Sequence, residues 1–114
     1  MKNRLFVFAL ILLPLAAFAQ PKQYKIASIG FYNLENLFDT INNPLTNDED
    51  FLPTGSYSYT TAVYVEKQSN MARVIADMGT ELSPDGIAIL GVAEVENRKV
   101  LEDLVAQPTI KDRK

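Results

Sequence analysis

The chain reads as an α/β fold in the order strand, helix, strand, helix, and three patterns carry that reading. Ile87-Ala88-Ile89-Leu90-Gly91-Val92-Ala93 is apolar or small throughout and follows the turn signal Pro84-Asp85-Gly86. Such a run predicts a strand buried on both faces. Tyr64, Met71, Val74, Ile75 and Met78 recur upstream at helical spacing. Val100, Leu101, Leu104 and Val105 form a second apolar stripe downstream.

The first 19 residues stand apart from this pattern. Lys2 and Arg4 precede an almost wholly apolar stretch, Leu5 to Leu15, and Ala17-Phe18-Ala19 supplies an A-x-A cleavage site before Gln20. That layout is a signal peptide, expected to be removed, with the product periplasmic or secreted and no stable membrane anchor left. A membrane span would need a longer apolar stretch. Residues 20–114 form the expected folded part. Two of the 11 basic residues, Lys2 and Arg4, fall in the leader, so this part sets nine basic residues against 14 acidic ones. An acidic balance gives no general attraction to nucleic acid, although a local site can override the mean. There is no cysteine and no histidine, which excludes disulfide stabilisation and His-based acid–base or triad chemistry within this chain.

Lys25 to Tyr32 reads as the first strand, and Asn33 to Asp39 as a turn or short helical segment. Residues 40–58, rich in Asn, Asp, Pro, Gly and Ser, read as a long functional or mobile loop. Thr60 or Thr61 caps a helix reaching Met78, with Gly79 just past its end. After the strand Ile87–Ala93, Asn97 or Arg98 opens a last helix that Pro108 ends. A strand–helix–strand crossover makes the two strands parallel, so their carboxyl ends share one sheet edge. Asn33 and Glu94 each follow a strand and are expected to be neighbours there. Open α/β sheets bind ligands at that edge. Two strands leave faces and edges without cover, so the residues are expected to be the amino-terminal part of a larger domain.

Asn33 and Glu94 pair an amide oxygen with a carboxylate. Hard divalent cations such as Mg²⁺ bind through one or two carboxylates, waters and substrate phosphate, whereas Zn²⁺ prefers His or Cys. On physical grounds alone a second reading stands beside this one: Asn33 caps a turn and Glu94 faces solvent. The cluster Asp48-Glu49-Asp50 lacks EF-hand spacing and reads as solvated loop charge. Tyr57, Tyr59 and Tyr64 could stack on bases, but packing is the commoner use of such tyrosines.

Phe31-Tyr32-Asn33-Leu34-Glu35-Asn36-Leu37-Phe38-Asp39 and Ile89-Leu90-Gly91-Val92-Ala93-Glu94-Val95-Glu96-Asn97 resemble the first two motifs of the endonuclease/exonuclease/phosphatase superfamily. Its members include pancreatic-type deoxyribonucleases, apurinic endonucleases, sphingomyelinases and inositol phosphatases. The resemblance is nearest to its branch of secreted bacterial proteins. The segments Asp48-Glu49-Asp50-Phe51, Pro53-x-Gly55 and Lys67-x-x-Asn70-Met71-Ala72-x-Val74-Ile75 fit as well. The resemblance implies a DNase I-like four-layered α/β sandwich, of which this chain is the amino-terminal β-α-β-α part.

It further implies an exported phosphoesterase or nuclease-type hydrolase that uses Mg²⁺, with Mn²⁺ or Ca²⁺ as alternatives. The substrate would be a phosphate ester, with nucleic acid among the candidates. Glu94 corresponds to the principal metal ligand, Asn33 to the asparagine beside metal and scissile phosphate, and Glu35 to a weaker metal candidate. Glu96 and Asn97 belong to the branch signature without an assigned role. Independently of the family, Asn97 can cap the last helix while Glu96 faces water. Tyr59 and Val63 stand where the branch tends to have an aromatic, usually tryptophan, and an arginine. The family's later histidines and Gly-Asp-x-Asn segment do not occur here. The catalytic set is therefore incomplete, and the chain alone is expected to be inactive. The alternative is a truncated or degenerate non-catalytic exported binding module.

Overall fold

In the computed structural model, which describes residues 23–113, the elements are β1 (Ser28–Leu37), a 3-10 helix (Glu49–Phe51), α1 (Thr61–Asp77), β2 (Ile87–Val95) and α2 (Arg98–Val105). The signal-peptide segment lies outside the described residues. Among those described, no helix is long and apolar enough to cross a membrane.

Strands β1 and β2 pair in parallel, as the crossover requires. From Ile29↔Ile89 to Asn33↔Ala93 the register is regular. Parallel partners share a sheet face, so Ile29, Phe31 and Asn33 stand with Ile89, Gly91 and Ala93 on one side. Tyr32, Leu34, Leu90 and Val92 stand on the other, against the two helices. The core is Leu34, Leu37, Tyr64, Met71, Ala72, Ile75, Val100 and Leu104, joined by Tyr59.

β2 is not buried on both faces as its composition predicted. Helices cover one side only. Ile29, Phe31 and Ile89 are 76, 68 and 61% exposed on the other. The apolar run is the signature of a strand built for two covered faces, and among the described residues one is open. On that open face Phe31 lies across Gly91, where an added Cβ would come within 3.1 Å of its ring.

β1 also departs from the expected Lys25–Tyr32. It starts three residues later and continues to Leu37, through the segment expected to be a turn or helix. Two extra residues explain the difference. Asn33 pairs with Ala93, but the next pair is Leu37↔Val95. Glu35 and Asn36, at φ 51° and 59°, form a bulge between them. The bulge resets the alternation, so Leu34 and Leu37 are both fully buried although three positions apart. That spacing imitates a helix in the sequence.

Thr60 caps α1, its hydroxyl accepting from Val63 N, and Gly79 follows the helix at φ 74°, a left-handed exit that glycine adopts without strain. Val74, expected on the buried stripe, is 46% exposed; Gln68 and Ala72 take the inner positions instead. Gln68 is 1% exposed and donates from Nε2 to Tyr64 Oη (2.8 Å) and Val100 O (3.0 Å), and Tyr64 Oη donates to Asp103 (2.9 Å). This chain of bonds ties α1 to α2.

α2 ends at Val105, short of Pro108, and Val105 faces out. Arg113 closes the other end of α1, donating to the carbonyls of Ile75 and Ala76. The segment 40–58 is anchored at two points. Phe51 stacks on Phe38 at 4.3 Å between ring centroids and meets Tyr57 and Tyr59. Asp48 is 2% exposed and accepts from Asn43 N at 2.8 Å, so it is a loop staple and not solvated charge.

Candidate functional site

The carboxyl ends of β1 and β2 form one polar edge. Regular alternation would send Glu94 to the face opposite Asn33. Instead Glu94 takes a left-handed backbone, φ 58°, and its carboxylate meets the Asn33 side chain. Asn33 Nδ2 donates to Glu94 Oε1 at 2.7 Å, across 61 positions of sequence. Asn33 Oδ1 accepts from Glu35 N at 2.7 Å. These two contacts fix the orientation of the amide: reversed, it would set oxygen against carboxylate and nitrogen against N–H. Asn33 therefore closes a turn, and the same amide also faces Glu94.

Among the described residues, four that are not glycine have positive φ: Glu35, Asn36, Ser58 and Glu94. Three of them lie on this edge. A left-handed non-glycine residue costs on the order of 1–2 kcal/mol, and such residues gather at functional sites. The edge thus retains backbone energy that the regular part of the sheet does not.

Two sets of contacts hold it. From α1, Lys67 Nζ donates to Glu35 O at 2.7 Å and Asn36 O at 3.2 Å, with its charge 6.0 Å from the Tyr59 ring centroid. Burial holds the Lys67 ammonium below its ordinary range, while the Glu35 and Glu94 carboxylates pull it back up. From the second motif, Glu96 Oε2 accepts from Asp39 N at 2.9 Å, and Glu96 N donates to Leu37 O at 3.1 Å. Asn97 Nδ2 donates to Asp39 Oδ2 at 3.3 Å, while its Oδ1 accepts from Val100 N at 3.1 Å and caps α2. Glu96 does not face water: Oε1 is buried and has no hydrogen-bond partner among the described residues. The pair Glu96-Asn97 is a clasp that locks the end of the first motif to the start of α2.

Of the three residues singled out in the sequence, Asn33 and Glu94 meet directly. Glu35 joins them through its backbone. Among the described residues its carboxylate makes no hydrogen bond, and no three His, Cys, Asp or Glu side chains converge as a ready metal cage. Lys67 was not assigned a role from the sequence. The signal was a lysine three positions after Tyr64 and four before Met71, on the margin of the buried stripe of α1. Tyr59 and Tyr64 pack in the core, and burial pushes the Tyr59 phenol up to about 12 and Tyr64 higher still, with the Asp103 contact adding to the latter.

Residues 28–114 match the family model described as Endonuclease/Exonuclease/phosphatase family. That span takes in both strands, both helices and every residue of the polar edge. No curated protein and no solved structure matched the chain.

Proposed function

The chain belongs to the endonuclease/exonuclease/phosphatase family, and from that premise we propose that it carries the cation-binding corner of an exported, Mg²⁺-dependent phosphoesterase. The family comprises nuclease- and phosphatase-type hydrolases of phosphate esters. The observation that carries the proposal is Glu94: an exposed carboxylate on a left-handed residue at the carboxyl edge of two parallel strands, held by an amide at 2.7 Å.

The donor chemistry fits a hard divalent cation. Glu94 Oε1 accepts from Asn33, and the carboxylate retains further lone pairs with which it would hold the cation. Mg²⁺ keeps several waters and takes one or two protein carboxylates, so a sparse shell suits it better than it suits Zn²⁺. Asn33 is bonded through both ends of its amide and so orients the carboxylate rather than replacing it. When bound, the cation neutralises charge on a phosphoryl oxygen. Asn33 keeps one N–H for that oxygen as charge develops.

Export rests on Lys2 and Arg4, the apolar stretch after them and Ala17-Phe18-Ala19. With no histidine among 114 residues, this chain supplies no imidazole for proton transfer at neutral pH. It therefore binds the cation but does not turn over substrate alone. The same absence favours a second reading, an exported binding module without catalysis.

Mn²⁺ serves as the probe for the first reading, with unbound ion followed by electron paramagnetic resonance and Mg²⁺ as competitor. The full chain binds it, Glu94→Gln weakens binding at least about tenfold by removing the charged ligand, and hydrolysis of bis(4-nitrophenyl) phosphate stays at background. Equal binding by Glu94→Gln overturns the ligand assignment. Turnover by the chain alone overturns the claim of inactivity.

A further inference from the structure

The turn that presents Asn33 is unfavourable on its own, and the structure shows what opposes its relaxation. Glu35 and Asn36 are consecutive left-handed residues, neither of them glycine. Consecutive residues of one hand align their carbonyls, as in a turn of helix, and gather negative partial charge at one end. The charge that meets them comes from another element. Lys67 lies on α1, 32 and 31 positions further along the chain, and its ammonium bonds both carbonyls. Asn36 O also accepts from Phe38 N at 3.0 Å, so the two strained residues are closed from both sides. The lysine stem is half-buried beside Tyr59 and Met71, which limits how far the ammonium can swing.

We propose that Lys67 is the positioning residue of this edge: its ammonium clamps the Glu35 and Asn36 carbonyls, and that clamp keeps the Asn33 amide turned onto Glu94. The proposal rests on the reading of Glu94 as a cation ligand only in its consequence, since the clamp itself is a property of the cation-free chain. A charged donor on a carbonyl is stronger than a neutral one, and two carbonyls share it. Release would let Glu35 and Asn36 return to ordinary backbone angles. The Glu35 N–H would then leave Asn33 Oδ1, and the Asn33 amide would turn freely.

The test is amide hydrogen exchange by nuclear magnetic resonance on the full chain without metal. Lys67→Met keeps the stem and removes the donors. The Glu35 and Phe38 amides then exchange at least about tenfold faster, while amides in the middle of α1 and β2 keep their protection. Lys67→Arg, which retains donors and charge, restores both. Mn²⁺ affinity falls with Lys67→Met and recovers with Lys67→Arg. Unchanged exchange at Glu35 and Phe38 overturns the clamp, and so does uniform acceleration at every amide, which would mark Lys67 as a general stabiliser. Absence of Mn²⁺ binding by the wild-type chain overturns the cation reading alone, and the exchange result still decides the clamp. If Lys67→Met does not fold, the wild-type ammonium decides. Slowly exchanging Nζ protons with contacts to Glu35 or Asn36 support the clamp, and a solvent-averaged resonance overturns it.

Discussion

The two strands pass through two regions built on opposite rules. Under the helices, side chains alternate in ordinary register and fill one another's gaps: Leu34, Met71, Ala72, Ile75, Val100 and Leu104 are all buried, and each backbone residue there takes its common conformation. A few residues further along the same strands, alternation breaks, three side-chain-bearing residues turn left-handed, and the contacts become polar. The first region lowers the energy of the fold. The second spends part of that energy on a geometry that stability alone would not select. The difference teaches where to look in this molecule for chemistry: at the edge where the sheet stops obeying its own periodicity.

Substitutions should separate the two regions by what they change. Leu104→Ala, at a 2% exposed site remote from the edge, is expected to cost about 2–4 kcal/mol in chemical denaturation while leaving Mn²⁺ affinity unaltered in the folded protein. A cost under about 1 kcal/mol would mean that the helical side is not the stabilising half. Gln68→Ala follows at about 1–3 kcal/mol, because Val100 O and the Tyr64 hydroxyl lose a buried donor. Asn33→Ala inverts the pattern. It changes stability by less than about 0.5 kcal/mol, since the side chain is exposed, yet weakens Mn²⁺ binding severalfold by freeing the Glu94 carboxylate.

Alkaline pH probes the packed region through its phenols. Burial raises the Tyr59 phenol to about 12 from its ordinary value of 10.0. The folded state therefore prefers the neutral phenol. Its contribution is complete below pH 10, the unfolded value, and is lost as pH rises from there through the folded value near 12. Absorbance at 295 nm should show Tyr59 ionising late, and Tyr64 with it. Ionisation of both near pH 10 in the folded protein would contradict the packing of the segment before α1.

How much was legible in the sequence follows the same division. Regular structure announces itself through period and caps: Thr60 or Thr61 and Gly79 marked the limits of α1, Asn97 or Arg98 the start of α2, with Thr60 and Asn97 the caps in the structure, and the long apolar run marked β2. That Asn33 and Glu94 share one sheet edge followed from topology; that their side chains meet depends on the left-handed backbone at Glu94, which the sequence does not announce. The bulge was illegible. Leu34 and Leu37 sit three apart, a helical spacing, and only the insertion of Glu35 and Asn36 makes both face inward from a strand. The open face of β2 was illegible too, since composition records what a strand is built to bury and not what covers it. Asp48 looked like solvated charge because its partner is a backbone N–H at Asn43, which every sequence offers and none advertises. Lys67 looked like one more surface lysine because its partners are also backbone atoms.

The central claim is that the backbone strain at Glu94 is kept for a cation, and Glu94→Gly tests it most directly. Glycine adopts φ 58° without the side-chain penalty and carries no carboxylate. Chemical denaturation of wild type and variant, each with and without Mn²⁺, reads both effects at once. The account predicts that the cation-free variant is more stable by about 0.5–1 kcal/mol and that Mn²⁺ stabilises the wild type but no longer the variant. A variant that loses stability without metal, or that Mn²⁺ stabilises as much as the wild type, would contradict it.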